Sequence, residues 1–364
     1  MPGVYISWPF CAQKCTYCNF ASAVQPGLEA AYTEALLSEI RETQFEWIPE
    51  TAYFGGGTPS GMTPATLEKI LSALPGLPWK EATMEAAPGS LAAGNIEFWR
   101  EAGLNRVSLG VQSFVDKELA RTGRRHKAET VRRDVAALRA GGIGNINIDL
   151  IAGLPGQTEA SWKESLDAVL ELSPPHVSVY MLEVDEDSRL GSEILAGGIR
   201  YGAGDVPGDD AIAAFYERAV SVLAGAGIER YEISNFALSG FESAHNLKYW
   251  RREPYLGFGA DAHSFDGAHR WQNCETARDY VKAFESGQSC RIETTNANAD
   301  EERFFVGLRL AEGVAPTPAD WQRFGPAFER FLTSGMMEQS GERLRLTPRG
   351  IMVSNEIFQE FIAA

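Results

Sequence analysis

The sequence predicts an α/β fold: a partial (β/α)6 barrel, TIM-like but incomplete, followed by a smaller α+β C-terminal domain. Three observations carry this expectation. Short β-like runs alternate with helical stretches through the first half, an order that favours parallel strands with helices outside. There are six such units, where a closed TIM barrel needs eight. Every expected strand also delivers a polar or glycine-rich element at its C-terminal end, where βα barrels gather their active sites. A doubly wound open sheet is the competing arrangement.

The strands are expected at residues 4–7, 52–54, 82–86, 106–110, 145–150 and 177–182. The first leads into a cysteine-rich loop. The second ends in Gly55-Gly56-Gly57-Thr58-Pro59. The third carries Glu85, the fourth leads to Gln112, the fifth ends with Asp149 and the sixth approaches Glu183. A helix is expected from about residue 28 to 46, with Tyr32, Ala35, Leu36 and Ile40 at helical spacing. Others are expected at 66–73, 95–102, 128–140 and 159–172, the last stopped by Pro174 and Pro175. Residues 197–210 turn rich in Gly, Asp and Pro, which marks a loose boundary. A helix at 210–226 and a strand-like run at 230–233 follow. The expected division is a barrel over 1–200, a barrel extension over 201–295 and a small, mostly helical domain over 296–364, with a hairpin near Gly341.

The chain has 364 residues, 44% hydrophobic and 23% charged, ordinary values for a globular protein with a large core. The net charge of -16 argues against a nucleic-acid partner and against a polybasic dock on anionic lipid. No apolar run approaches the length of a membrane span. A cysteine motif begins already at Cys11, where a signal peptide would carry its apolar stretch. A soluble, cytoplasmic protein is expected, not an integral membrane protein.

Cys11, Cys15 and Cys18 stand in a Cys-x-x-x-Cys-x-x-Cys array, and the only other cysteines are Cys274 and Cys290. Three thiolates this close can converge on one iron–sulfur cluster. A four-iron cubane normally takes four thiolates, so three leave one iron open, and an open coordination site is where chemistry happens. Other readings of the array exist. A disulfide plus a free thiol is one, although few cysteines in odd number suit a reducing compartment better. A zinc site would need a fourth ligand, and the nearest histidine is His126. Three unrelated buried cysteines are the plainest reading. Similarly, the glycine run lets backbone approach a ligand closely, but tight turns use glycine for their own reasons. Any one of Glu85, Gln112, Arg124 and Asp149 alone reads as a structural hydrogen-bonder. Their joint location at strand ends is what lifts them above that reading.

The cysteine array followed by GGGTP at positions 55–59 resembles radical S-adenosylmethionine (SAM) enzymes. The resemblance implies that Cys11, Cys15 and Cys18 hold a 4Fe–4S cluster and that SAM chelates the fourth iron. Reduction would then cleave SAM to methionine and a 5′-deoxyadenosyl radical. More motifs narrow the match. Tyr5, Pro9-Phe10-Cys11, GVQSF at 110–114, Gly123-Arg124 with His126, NIDLIAGLPGQT at 147–158, YEISNFA at 231–237 and GFGADAHSF at 257–265 are similar to the oxygen-independent coproporphyrinogen III oxidase group. They cover most of residues 1–270. By this resemblance Gly56, Gly57 and Thr58 lie along the methionyl group of SAM. Glu85, Gln112, Arg124 and Asp149 contact its amino group, carboxylate or ribose. Phe20 lies near the cluster, and Tyr5 belongs to the cofactor-binding set. A carboxylate suits the ammonium, a guanidinium the carboxylate and Asp149 the ribose hydroxyls.

That group has two branches. One decarboxylates coproporphyrinogen III to vinyl groups. The other consists of haem chaperones, which bind haem and pass it to haem-requiring membrane enzymes. Three features resemble the chaperone branch. Asn19-Phe20 follows Cys18, where the oxidase has Gly-Cys. The cysteine array starts at Cys11, without the oxidase's longer leading segment. His245-Asn246-Leu247-Lys248-Tyr249-Trp250 fits His-Asn-x-x-Tyr-Trp. The imidazole of His245 is a candidate ligand for haem iron, with Tyr249 and Trp250 as flat surfaces for the macrocycle. The alternative is an aromatic cluster that packs one part of the chain on another. His176 and His263 read as core or loop residues. Two positions depart from the group: Ser7 stands where a histidine is usual, and Ala86-Ala87-Pro88 stands where Ala-Asn-Pro usually follows Glu85. The implied cofactors are a 4Fe–4S cluster, SAM and haem. The implied partners are haem-accepting membrane proteins and an electron donor such as flavodoxin or ferredoxin.

Overall fold

A computed structural model describes residues 2–22, 24–25 and 27–362. The six expected strands form as β1 (Gly3–Trp8), β2 (Thr51–Gly56), β3 (Glu81–Ala86), β4 (Arg106–Gln112), β5 (Asn145–Ala152) and β6 (His176–Met181). They pair in sequence order, all parallel. Helices α1 (Glu29–Glu42), α2 (Pro64–Ala73), α3 (Ala93–Glu101), α4 (Asp116–Arg121), α5 (Ala128–Ala140) and α6 (Glu159–Leu172) connect them. Helix starts follow local chemistry. Thr63 caps α2 ahead of Pro64, and Thr158 with Ser161 forms a capping box on α6.

The strands alternate in polarity along their whole length. One face carries Val4, Ile6, Ala52, Phe54, Met84, Val107, Leu109, Ile146, Ile148, Val177 and Val179, all buried in one core with the helices. Leu36 and Ile40 of α1, Val135 and Leu138 of α5, and Trp162 and Leu166 of α6 belong to that core. The other face carries Tyr5, Thr51, Tyr53, Glu81, Thr83, Glu85, Arg106, Ser108, Asn147, Asp149, His176 and Ser178. A closed TIM barrel fills its interior with branched apolar side chains. Here the apolar face meets the helices, and the inward face is polar and cross-linked by hydrogen bonds.

After β6 come α7 (Arg189–Leu195), α8 (Asp209–Gly225), β7 (Glu229–Arg230), β8 (Asn235–Ala237), α9 (Ala244–Arg251), β9 (Tyr255–Phe258), β10 (His263–Phe265), β11 (His269–Asn273), α10 (Ala277–Glu285) and β12 (Arg291–Asn296). Of the strand expected at 230–233 only Arg230 lies in a strand, at the end of β7, and β8 begins beyond it at Asn235. Glu232 folds back to accept hydrogen bonds from Ser234 N and Asn235 Nδ2 and makes a turn there. Strand β9 adds a seventh parallel strand beside β1, which the sequence pattern had not revealed. The sheet order is β12-β11-β10-β9-β1-β2-β3-β4-β5-β6-β8-β7, with antiparallel arms at both ends. The remainder holds α11 (Ala299–Gly307), α12 (Pro318–Thr333), a hairpin of β13 (Met337–Ser340) and β14 (Arg343–Leu346), α13 (Pro348–Met352) and α14 (Ser354–Gln359). Phe304, Phe324, Phe328 and Phe361 pack together at its centre. Among the described residues, no helix is long and apolar enough to cross a membrane.

Candidate cofactor site

The site is built where β1 and β2 end. Gly57 N donates to Trp8 O at 2.8 Å and Thr58 N to Phe10 O at 2.9 Å, so the glycine run is laced to the exit of β1. A Cβ on Gly57 would lie 2.6 Å from that Phe10 oxygen, so only glycine fits. Gly56 has φ +108° and turns its N–H to Glu85 Oε2 at 3.2 Å. Tyr53 OH donates to Glu85 Oε1 at 2.8 Å. Burial pushes the Glu85 carboxyl up to about 7, the Asp149 charge adds to the rise, and the bonds from Tyr53 and Gly56 oppose it. Asp149 accepts from Asn147 Nδ2 at 2.7 Å and from Ser108 Oγ at 3.3 Å, and burial raises its pKa too.

At the end of β4 the register slips between Leu109 and Gln112, and Gln112 takes φ +72°. Its Oε1 is buried without a partner. Arg124 donates from NH2 to Gly110 O at 2.7 Å, while its Nε is buried and unpartnered. Burial works against the Arg124 charge, but neighbouring Tyr17 and Cys15 hold the guanidinium protonated. His126 turns Nε2 to Val111 O at 3.1 Å. Burial and the Arg124 charge push its pKa down to about 4, so the ring is neutral at physiological pH.

Cys11, Cys15 and Cys18 are all free and half-buried. Cys18 N reaches Cys15 O at 3.4 Å, and Cys18 Sγ lies 3.7 Å from Ser22 Oγ. Burial raises the Cys11 thiol, against a bond from Ser22, and the Cys18 and Cys15 thiols push it further up. The loop is anchored on two sides. Thr16 N bonds Thr122 O at 3.1 Å and Gln13 Nε2 bonds Gly123 O at 2.7 Å. Leu190 N bonds Thr16 O at 2.8 Å and Asn19 Nδ2 bonds Asp185 at 2.6 Å. A cleft of about 680 Å³ opens beside it, lined among others by Cys11, Cys15, Thr58, Pro88, Arg124 and His126. Among the described residues, no three Cys, His, Asp or Glu side chains are already gathered as a metal-ligating set. The chemistry of the donors nonetheless suits a cluster with a SAM ligand: three unpaired thiols beside close-approach glycines and two buried orphan atoms, Gln112 Oε1 and Arg124 Nε.

The other expected residues lie apart. Phe20 is 66% exposed on the cysteine loop. Tyr5 stacks on Tyr53 on the inward face, ring centroids 6.0 Å apart. His245 sits at the opposite end of the barrel. It is 0% exposed, with Nδ1 bonded to Thr51 at 2.8 Å and Nε2 to the Tyr249 hydroxyl at 2.9 Å. Both ring nitrogens are thus engaged within the protein, where the sequence expectation had one of them on haem iron. Helix α9, which carries it, plugs the N-terminal ends of the strands. Glu81, the first residue of β3, accepts from Ser243 Oγ and from the amides of Ala244 and His245. His176, the first residue of β6, bonds Asn147 and Tyr231, and Tyr231 in turn bonds Ser243 N. His263 is exposed on β10. Sequence reading missed Tyr53, Arg106, Ser108 and Asn147. Their signal was present as the two-residue polar period of each strand.

A half-open parallel sheet with three cysteines in the loop after its first strand is the architecture of the radical SAM proteins. The sequence matches the radical SAM superfamily model over residues 5–169 and the HemN C-terminal domain over residues 295–353. Within that superfamily, the chain belongs to the family of the heme chaperones HemW. It is 34% identical to heme chaperone HemW of Lactococcus lactis over 98% of this chain and 96% of that protein. The Bacillus subtilis HemW is 34% identical over 100% and 99%. The fold superposes on coproporphyrinogen III oxidase HemN of Escherichia coli with a TM-score of 0.83, covering 99% of this chain and 89% of that one. At 21% identity that likeness is one of fold.

Proposed function

We propose that this protein is a cytoplasmic radical SAM haem chaperone that binds haem and delivers it to haem-requiring membrane proteins. The full-length similarity to proteins named heme chaperone HemW carries this reading. In it, Cys11, Cys15 and Cys18 hold a 4Fe–4S cluster, which supplies reducing electrons to bound SAM, with flavodoxin or ferredoxin as donor. Glu85 takes the SAM ammonium, Arg124 its carboxylate and Asp149 its ribose. Gln112 offers its unpartnered oxygen, and the backbone at Gly56, Gly57 and Thr58 admits the methionyl chain. The HemN fold favours one alternative, an oxygen-independent coproporphyrinogen III oxidase. Haemin titration and an anaerobic assay with coproporphyrinogen III separate the two. The chaperone reading expects haemin binding without vinyl product. Vinyl product with release of methionine would overturn it.

The ionisation of Glu85 gives this reading a pH signature. Below about 7 the free carboxyl holds a proton that pairing with an ammonium must expel. SAM binding at about pH 6 is therefore expected to release up to about one proton, and close to none above pH 8. Calorimetry in buffers of different ionisation enthalpy reads this directly, and Glu85→Gln removes it. The same group also acts on stability. Its folded pKa stands above its unfolded value, so between the two the native state keeps a proton that the unfolded chain has lost. Stability from this group falls as pH rises through that window. Proton release unchanged in Glu85→Gln would remove Glu85 from the SAM site.

A further inference from the structure

Arg106 begins β4 on the inward face and is 1% exposed, one of the largest fully buried side chains in the chain. Its Nε is buried without a partner, and among the described residues its side chain makes no hydrogen bond and no ion pair. A buried, unpaired guanidinium is costly, because it has left water without replacing the hydrogen bonds it had there. Two carboxylates face it, Glu85 and Asp149. Both lie beyond ion-pair distance, and both already accept bonds from other groups: Tyr53 and Gly56 for Glu85, Asn147 and Ser108 for Asp149. The other titratable groups around it are Tyr53, His176, Tyr231 and His245. The two histidines are tied to Asn147 and Tyr231, and to Thr51 and Tyr249. Glu85 and Asp149 feel the Arg106 charge through space, but none of these groups bonds the guanidinium.

The surroundings define what does. The inward face is closed at the N-terminal ends of the strands by α9. In the segments that follow the strand ends stand exposed apolar side chains: Phe20 on the cysteine loop, Tyr180 at the end of β6, and Val184, Leu195 and Ile199 on the segment beyond it. Asn19 and Asp185 tie these two segments together. A ligand that matches exposed apolar side chains and a buried, unbonded cation has a flat apolar body and an acidic arm. We infer that Arg106 is a binding residue for a carboxylate of the cargo, a propionate of the tetrapyrrole, held by the guanidinium fork on the inward face. The inference rests on the haem reading above and adds to it where the acidic arm goes. Arg donates two parallel bonds to a carboxylate, which a lysine cannot reproduce.

The test compares ligand and protein changes in the full-length chain. Haemin and haemin dimethyl ester, whose propionates are blocked, are titrated into the wild type and into Arg106→Met and Arg106→Lys. SAM affinity is measured in parallel on reconstituted protein. Loss of one charge-assisted pair is expected to weaken haemin binding by about 10- to 100-fold in Arg106→Met, and less in Arg106→Lys. The ester is expected to bind the wild type more weakly by a similar factor and to lose nothing further in the variants. SAM affinity is expected to stay within about twofold. Equal haemin affinity in wild type and variants overturns the inference and leaves the haem reading standing. An ester that binds the wild type as tightly as haemin does the same, and needs no variant to fold. A loss confined to SAM reassigns the guanidinium to the SAM carboxylate and also overturns it. A wild type that takes up no haemin defeats the haem reading itself.

Discussion

Cys15→Ala is expected to leave the protein folded and without its cluster. Iron and acid-labile sulfide after anaerobic reconstitution should fall from about four of each per chain to near zero. The geometry explains why the effect is large. The thiols of Cys11, Cys15 and Cys18 are free and half-buried, and the other two lie close enough to Cys11 to push its pKa up. They are also the only ligand set the loop offers. His126 is turned to the Val111 carbonyl and kept neutral, and among the described residues no three Cys, His, Asp or Glu side chains stand gathered as an alternative set. With one thiolate lost, two remain where a cubane on three thiolates is already one short. The loop itself should survive, because backbone and side-chain bonds from Gln13, Thr16 and Asn19 hold it to its neighbours, not the cysteine side chains. Cys274→Ala is the control. That thiol donates to the Cys290 carbonyl at 3.1 Å and lies outside the site. Wild-type iron content in Cys15→Ala would reject the cysteine loop as the cluster site.

Glu81→Ala is expected to be the most destabilising single change at the N-terminal mouth of the barrel. One carboxylate accepts three bonds there, from Ser243 Oγ at 3.2 Å and from the Ala244 and His245 amides at 2.9 Å each. Both amides stand in the first turn of α9, where helix N–H groups have no partner within the helix and a negative charge is favoured. Truncation leaves three buried donors unsatisfied at once. The expected cost is about 2–5 kcal/mol in urea unfolding. Glu81→Gln, which keeps an acceptor but not the charge, should cost less than half of that. A loss below about 0.5 kcal/mol in Glu81→Ala would show that α9 is held on the barrel by its apolar and aromatic contacts instead.

Much of the barrel was legible in the sequence because its strands are short, bounded by glycine and proline, and separated by helices with clear periodicity. Residues 106–110 and 145–150 lie within β4 and β5, and helices at 128–140 and 159–172 form as α5 and α6. The polar strand ends were legible for the same reason. Glu85, Asp149 and the glycine run sit together because parallel strands present the same end to the same side. Three things were not legible. The polar residues deeper in each strand, such as Tyr53, Arg106 and Asn147, read singly as exposed positions. Only the register shows that they face one another. Strand β9 is the run Tyr255–Phe258, too short to stand out, and its partner β1 lies at the far end of the chain. For His245 the sequence offers the chemistry of an iron ligand. In the structure Thr51 and Tyr249 take both ring nitrogens. Nothing in a linear motif reveals which neighbours will claim an imidazole.

The pairing of β1 with β9 has a consequence for biosynthesis. Gly3 waits for Tyr255, about 250 residues downstream, before its second edge is covered. At roughly 5–20 residues per second, a ribosome needs roughly 12–50 s to deliver that partner. Throughout that interval the nascent chain presents a bare strand edge of the kind that recruits foreign strands. The cysteine loop, which leaves the far end of β1, takes its anchors from Thr122, Gly123, Asp185 and Leu190, so the frame of the cluster site is translated while that edge still stands bare.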